Sequence, residues 1–398
     1  VRGDGTSRFS KDHRWGTFPS VALGWRVIDE DFMEPVRDIF SELKLRAGWG
    51  ITGQQDIGDN YFPYMPIYTI GNNGNPTPNT TSYPNTKPGD SGYINVIKPN
   101  GYNSDLKWEE TTTWNVGLDF GLLNNRISGS FDFYKRKTKD LLTWSTVAAG
   151  SNLTNAMNTN IGDLENTGIE FNVNARPVVT QDFTWITDFN ISWNHNKITK
   201  LTAGDDPDYF IATGSISAGT GTNIQAHKVG YPAYSFYVYQ QVYDVNGKPI
   251  EGQYVDRNGD GQITEADKYM YHSRDPKVVF TWSNTFNYKN WDFGIVLRAN
   301  IGNWVYNDFE ASNTSISATA SAPLSNLMAG RHLFNDLGVQ GVQSDYFVRN
   351  ASFLRCDNIT VGYTWPSLLN DALRLRVYGA VQNPFVITKY NGLEPEVF

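Results

Sequence analysis

Apolar and polar positions alternate along most of this chain. From Thr111 to Phe120, Trp114, Val116, Leu118 and Phe120 fall on one side, with Asn115, Gly117 and Asp119 on the other. From Trp185 to Trp193 the apolar side carries Trp185, Phe189, Ile191 and Trp193 with Thr187, against Ile186, Asp188, Asn190 and Ser192. Leu43, Leu45, Ala47, Trp49 and Ile51 likewise oppose Lys44, Arg46, Gly48 and Gly50. A period of two marks strands with one greasy and one polar face. Ten such segments are expected, near 20–28, 42–53, 111–121, 126–138, 166–176, 184–198, 278–288, 291–301, 352–365 and 373–383. Several exceed the five or six residues usual in soluble sheets, which points to a barrel wall.

The connections alternate between short and long. Asn124-Asn125, Pro177 to Phe183, Lys289-Asn290, Pro366 to Ala372 and the longer Asp29 to Ser41 are short; 54–110, 139–165, 199–277 and 302–351 are long. All short turns therefore lie at one end of the sheet and all long loops at the other. This is the asymmetry of bacterial outer-membrane barrels, with short periplasmic turns and long extracellular loops. The expected fold is thus all-β, an antiparallel transmembrane β-barrel. Trp114, Phe189, Ile191, Phe293 and Leu297 should face lipid, and Asn115, Asp119, Asp188, Asn190 and Arg298 the lumen.

Composition narrows the function. Aromatics reach 14% although apolar residues are only 39%, a pairing that argues against disorder. The net charge of −8 speaks against nucleic acid as a partner. No window holds 18 consecutive apolar residues, so no transmembrane helix is expected, which leaves strands free to cross. The only cysteine is Cys356, so neither an intrachain disulfide nor a thiolate metal cluster can form. The chain, opening at Val1 and stopping at Phe398, reads as a fragment.

The sharpest local motif is Asp256 to Asp267. Counting Asp256 as position 1, oxygen side chains occupy positions 1, 3, 5, 9 and 12, and Gly261 stands at position 6, where the chain must turn sharply. Such spacing wraps oxygens around a hard cation, here a structural Ca²⁺ in an extracellular loop. Asp256, Asn258, Asp260 and Asp267 would bind through side chains, Gln262 through its carbonyl and Thr264 through water. An Asp/Asn/Gly turn without metal is the competing reading. Gly89-Asp90-Ser91-Gly92 has the look of a protease nucleophile site, but no histidine base and oriented carboxylate accompany it, and a loop turn is the better reading. The other histidines are isolated and no HExxH or P-loop occurs, so no enzyme is expected. Trp144, Tyr237, Tyr239 and Trp304 lie in or beside long loops and are candidate substrate contacts, since sugar C–H faces stack on aromatic planes. Membership of the interfacial aromatic girdle is the alternative, above all for Trp304.

Several stretches resemble one family. They include Arg14-Trp15-Gly16-Thr17-Phe18-Pro19-Ser20, Leu43 to Gly50, Asn115-Val116-Gly117-Leu118-Asp119, Phe131-Asp132-Phe133-Tyr134, Thr138 to Leu142, Asn166 to Glu170, Asp256 to Asp267, and Leu354-Arg355 with Asn358 to Tyr363. In this order, from Arg2 to Val397, they resemble SusC/RagA-type TonB-dependent outer-membrane transporters. The resemblance implies a plugged barrel of about 22 strands. Residues 1–398 would be the C-terminal portion of that barrel, lacking plug and N-terminal regions. It also implies active import of an oligosaccharide or, alternatively, a peptide. The implied partners are a SusD-like surface lipoprotein, the TonB–ExbB–ExbD system and outer-membrane lipid. The loops 54–110, 199–277 and 302–351 would meet the lipoprotein. The rival class is a calcium-dependent glycan-binding or adhesin module built from β-sandwiches.

Overall fold

The computed structural model describes residues 1–58, 61–70, 81–84, 93–148, 150–201, 208–218, 221–317, 326–368 and 372–396. Its framework is one antiparallel sheet of ten strands in chain order. They are β1 (Ser20–Arg26), β2 (Phe40–Gln54), β3 (Glu109–Leu122), β4 (Ile127–Lys139) and β5 (Asp163–Val179). β6 (Phe183–Lys200), β7 (Val278–Tyr288), β8 (Trp291–Ile301), β9 (Phe353–Leu368) and β10 (Leu373–Thr388) complete it. All ten expected strands are present. β5 and β6 run to 17 and 18 residues, longer than their alternation suggested, because pairing continues past the bulge at Ala175/Val178 and up into polar sequence at the loop end. Among the described residues, no helix is long and apolar enough to cross a membrane. A single meander replaces the two packed sheets that a sandwich would need.

Turn chemistry closes the short end. Asn124 and Asn125 adopt φ of +57° and +59° and Lys289 +51°, the left-handed conformations that tight hairpins demand and that Asn tolerates best. Gly89 to Gly92 and residues 369–371 of the Pro366 to Ala372 turn lie outside the described residues.

Register separates the two faces. Trp114 pairs with Trp49 and Lys135, while Asp119 pairs with Lys44 and Ser130, five residues on and therefore on the opposite side. The outward row through Trp25 continues over Leu45, Leu118, Phe131, Phe171, Ile191, Phe280 and Ala299 to Leu354. On β9, however, the lower aromatic belt is reached only at Tyr363, which packs on Trp291 and Trp365. That is about 27 Å of descent over about 38 Å of sheet, so the strands tilt by about 35°, as barrel closure requires.

The wall has no apolar core of its own, because its greasy face meets lipid. Buried apolar clusters sit instead above it. Phe334, Leu337, Val342, Tyr346 and Phe347 form one, and Ile224, Phe236, Val238 and Val348 another. Both draw on the long loops 199–277 and 302–351. These loops contain strands that alternation did not reveal, including a four-stranded sheet of Phe210–Ser215, Asn223–Lys228, Ser235–Val238 and Tyr269–Ser273. The two loops are knit together at Tyr239, whose N–H donates to the Gln343 carbonyl (3.0 Å) and whose carbonyl accepts from the Asp345 N–H (2.9 Å).

Candidate functional site: lumen wall and extracellular loops

The inward face carries a ladder of ion pairs. Arg46 on β2 reaches Asp119 on β3 and Asp132 on β4, each at 2.8 Å. Ser130 donates to Asp132 (3.0 Å) and Asn172 to Ser130 (2.5 Å), which carries the network to β5. Asn174 donates to Asp188 on β6. Toward the other edge, Arg298 pairs with Asp357 (3.0 Å) and with Glu396, and Arg355 with Glu394 and Glu396. Arg376 on β10 holds Asp292 on β8 at 2.6 Å. Of the expected lumen residues, Asp119, Asp188 and Arg298 are members. Arg46 was already set on the polar side of its strand, whereas Asp132, Asp292, Arg355 and Arg376 were missed; alternation tells which face a residue takes but not which residue it meets.

The Asp256–Asp267 loop is a tight turn whose side-chain oxygens accept from its own backbone amides. Asp256 accepts from the N–H groups of Gly259 (2.7 Å) and Gly261 (2.8 Å). Gly259 and Gly261 have φ of +74° and +79°, where a side chain would be strained. Asn258 accepts from the Asp260 N–H (3.0 Å) and Asp260 from the Gln262 N–H (2.8 Å). Fully buried Asp267 accepts from Arg257 (2.8 Å), Asn258 (3.3 Å) and Thr264 (2.8 Å) and closes a capping box with Thr264. These amides, the Thr264 N–H foremost, hold its carboxyl below the usual aspartate range. Among the described residues no group of three or more His, Cys, Asp or Glu is placed to hold a metal ion.

The four candidate aromatics separate by environment. Trp144, in the strand Leu142–Thr146, is 61% exposed and offers its ring to solvent. Tyr239 is 3% exposed, with Tyr254 and the Lys268 ammonium against its ring, so it presents no stacking face to a ligand. Burial, with Glu265 beside it, raises its hydroxyl well above the usual tyrosine range. Half-buried Tyr237 packs on Phe210 and donates to the Glu265 carbonyl (3.3 Å). Trp304 stacks on His272 with ring centres 3.7 Å apart, and both line a rim cavity of about 390 Å³ with Trp193 and His195. Burial, and then Lys277, push the His272 imidazole below its usual range. Ring accessibility follows from tertiary packing, which composition does not report.

A tilted meander with an aromatic-belted apolar face, an ion-paired inner face and loops massed at one end defines an outer-membrane β-barrel wall. The chain belongs to the TonB dependent receptor-like, beta-barrel family, whose model matches residues 1–383. It is 51% identical over 405 residues to TonB-dependent receptor SusC of Bacteroides thetaiotaomicron, covering 100% of this chain and 39% of that protein. TonB-dependent receptor P3 of Formosa agariphila is 30% identical over 417 residues, again over 100% of this chain and 40% of the relative. Among solved structures, the RagAB peptide transporter superposes with a TM-score of 0.75 at 23% identity, over 98% of this chain and 42% of that one. The chain thus spans about two fifths of the length of the curated relatives it matches. It is part of a multi-pass outer-membrane protein.

Proposed function

We propose that this chain is the later wall, with its extracellular loops, of a TonB-energised nutrient importer. The carrying observation is the inner face: Arg46, Asp119, Asp132, Arg298 and Asp357 line a water-facing wall beneath a structured loop body. The plug, the rest of the wall and the contact with the TonB–ExbB–ExbD system belong to the remaining polypeptide. Strands β1 and β10, which end the sheet at Val21 and Leu375, would pair with it, since unpaired edges in a bilayer cost several kcal/mol per group. A SusD-like lipoprotein would cap the loop side, over 54–110, 199–277 and 302–351. In favour of an oligosaccharide cargo stands the open ring of Trp144. Peptide is the second reading; the RagAB likeness, at 23% identity, speaks for fold alone.

The loop body also supports a structural Ca²⁺ in the Asp256–Asp267 loop. What supports it is an oxygen-rich winding, in which Asp256, Asn258, Asp260 and Asp267 are set on one tight turn by Gly259 and Gly261. Gln340 donates to the Ile263 carbonyl (3.0 Å), so an ordered metal loop would buckle the loops 199–277 and 302–351 together.

Uptake of labelled oligosaccharides and peptides by the source bacterium tests the function. Oligosaccharide uptake that disappears on deleting this transporter, TonB or the neighbouring lipoprotein is the expected result. Uptake unchanged by all three deletions removes the proposal, and loss of peptide uptake alone replaces the cargo.

A further inference from the structure

Directly above the apolar band, the lipid-facing side of β4, β5 and β6 turns basic. On β4 the outward positions read Phe131, Phe133, Lys135, Lys137 and Lys139, the last three continuing the parity of the two phenylalanines without a bulge. Register places Ile169 beside Phe133 and Trp193 beside Ile169, and on β6 the His195 ring, stacked on Trp193, is the last outward ring before Lys197. Lys135 and Lys137 rise about 6 and 11 Å beyond Phe133 on a wall tilted by about 35°, into the polar headgroup layer. Their shared counter-ion is Glu165, at 3.3 Å from Lys135 and 3.6 Å from Lys137. Lys139 faces Glu110 across the ladder, and Lys197 pairs in register with Glu165. Among the described residues neither Lys139 nor Lys197 has an ion pair, so four ammoniums meet two carboxylates in a chain whose net charge is −8.

We infer that Lys135, Lys137 and Lys197 form a docking site for the phosphate of an outer-leaflet glycolipid. Cargo cannot be the occupant, because the patch lies on the outside of the barrel, opposite the lumen ladder of Arg46, Asp119 and Asp132. An aromatic edge below and ammoniums above match a lipid with acyl chains below and phosphate above. The inference rests on the membrane location and is independent of the transport reading.

The test uses the full-length transporter extracted from outer membranes in mild detergent, with bound lipid A measured by mass spectrometry after denaturation. Phosphorylated lipid A should remain on the wild type. The K135A/K137A/K197A variant should bind it on the order of a hundredfold more weakly, at about fivefold per lysine near an anionic leaflet. The corresponding triple Arg variant should retain it, which separates charge from misfolding, as does unchanged heat-modifiable mobility of the Ala variant. Equal retention by the Ala variant, equal retention of dephosphorylated lipid A, or complete displacement by millimolar inorganic phosphate would each overturn the assignment, the last by marking a free-phosphate site.

Discussion

Arg46 reaches Asp132 across Gly117. The three residues share one row on adjacent strands β2, β3 and β4, and a Cβ added at Gly117 would lie 2.7 Å from the Arg46 guanidinium. The same device recurs at Gly362, whose added Cβ would lie 2.7 Å from Arg376 where it bonds Asp292. A glycine on the middle strand opens a path for an ion pair between next-nearest strands. Gly117→Ala is therefore expected to destabilise the barrel by about 1–3 kcal/mol through overpacking. Gly294→Ala, on a strand paired on both sides and with nothing nearer its added Cβ than Thr360 at 4.0 Å, should be nearly neutral. Midpoints of heat-modifiable gel mobility for the two variants check this.

Removing the guanidinium should cost more than removing a carboxylate. Arg46→Met leaves Asp119 and Asp132 facing each other, with side chains 24% and 23% exposed. Discounted for that solvent access, the expected loss is about 1–3 kcal/mol. Adding Asp119→Asn and Asp132→Asn to Arg46→Met should recover part of it. A double-mutant cycle in denaturant measures the coupling, and purely additive losses would show that the ladder is not a network.

The two faces of β3 and β6 should respond oppositely to charge. Leu118→Arg places a guanidinium in the apolar band, with an expected cost of about 2–4 kcal/mol in barrel stability. Asn190→Arg, on the inward face, should assemble normally. Yields of folded barrel in outer membranes distinguish them.

The Asp256–Asp267 loop should show a defined acid limit. The folded Asp267 carboxyl lies below the usual aspartate range, chiefly through the Thr264 amide, so its contribution is complete above the unfolded aspartate value. That contribution is lost only as pH falls through the lower folded value. Protection of the loop from amide exchange should thus stay level from pH 7 to about 5 and decline below about 4. Asp267→Asn should weaken protection throughout, and chelation should do the same if calcium is bound.

Trp144→Ala should weaken oligosaccharide binding about tenfold or more while leaving assembly unchanged, because the ring is exposed and supports little else. Tyr239→Ala should instead loosen the loop body, since it removes a buried ring that packs on Tyr254 and the Lys268 ammonium and whose hydroxyl donates to the Glu265 carboxylate. Calorimetric titration with oligosaccharides, alongside limited proteolysis of the loops, separates the two effects.

Alternation by itself determined the ten wall strands, the face taken by Trp114 or Asp119, and, through the loop lengths, which end of the sheet carries the loops. Those properties are local: a strand's period and a turn's length are written in consecutive residues. Gly261 likewise marked the sharp turn inside Asp256–Asp267, because that turn's hydrogen bonds join residues close in the chain. The tertiary structure decided everything that depends on register between distant segments. It set Arg46 against Asp132, 86 residues away, and put Lys135 and Lys137 around Glu165. It also turned Tyr239 from an apparent loop aromatic into a buried joint, by bringing up the segment of Asp345, whose carboxylate receives the N–H of Gln241 from 104 residues earlier in the chain. Pairing partners are chosen by the summed fit of whole strands and loops, a quantity that no single window of sequence contains.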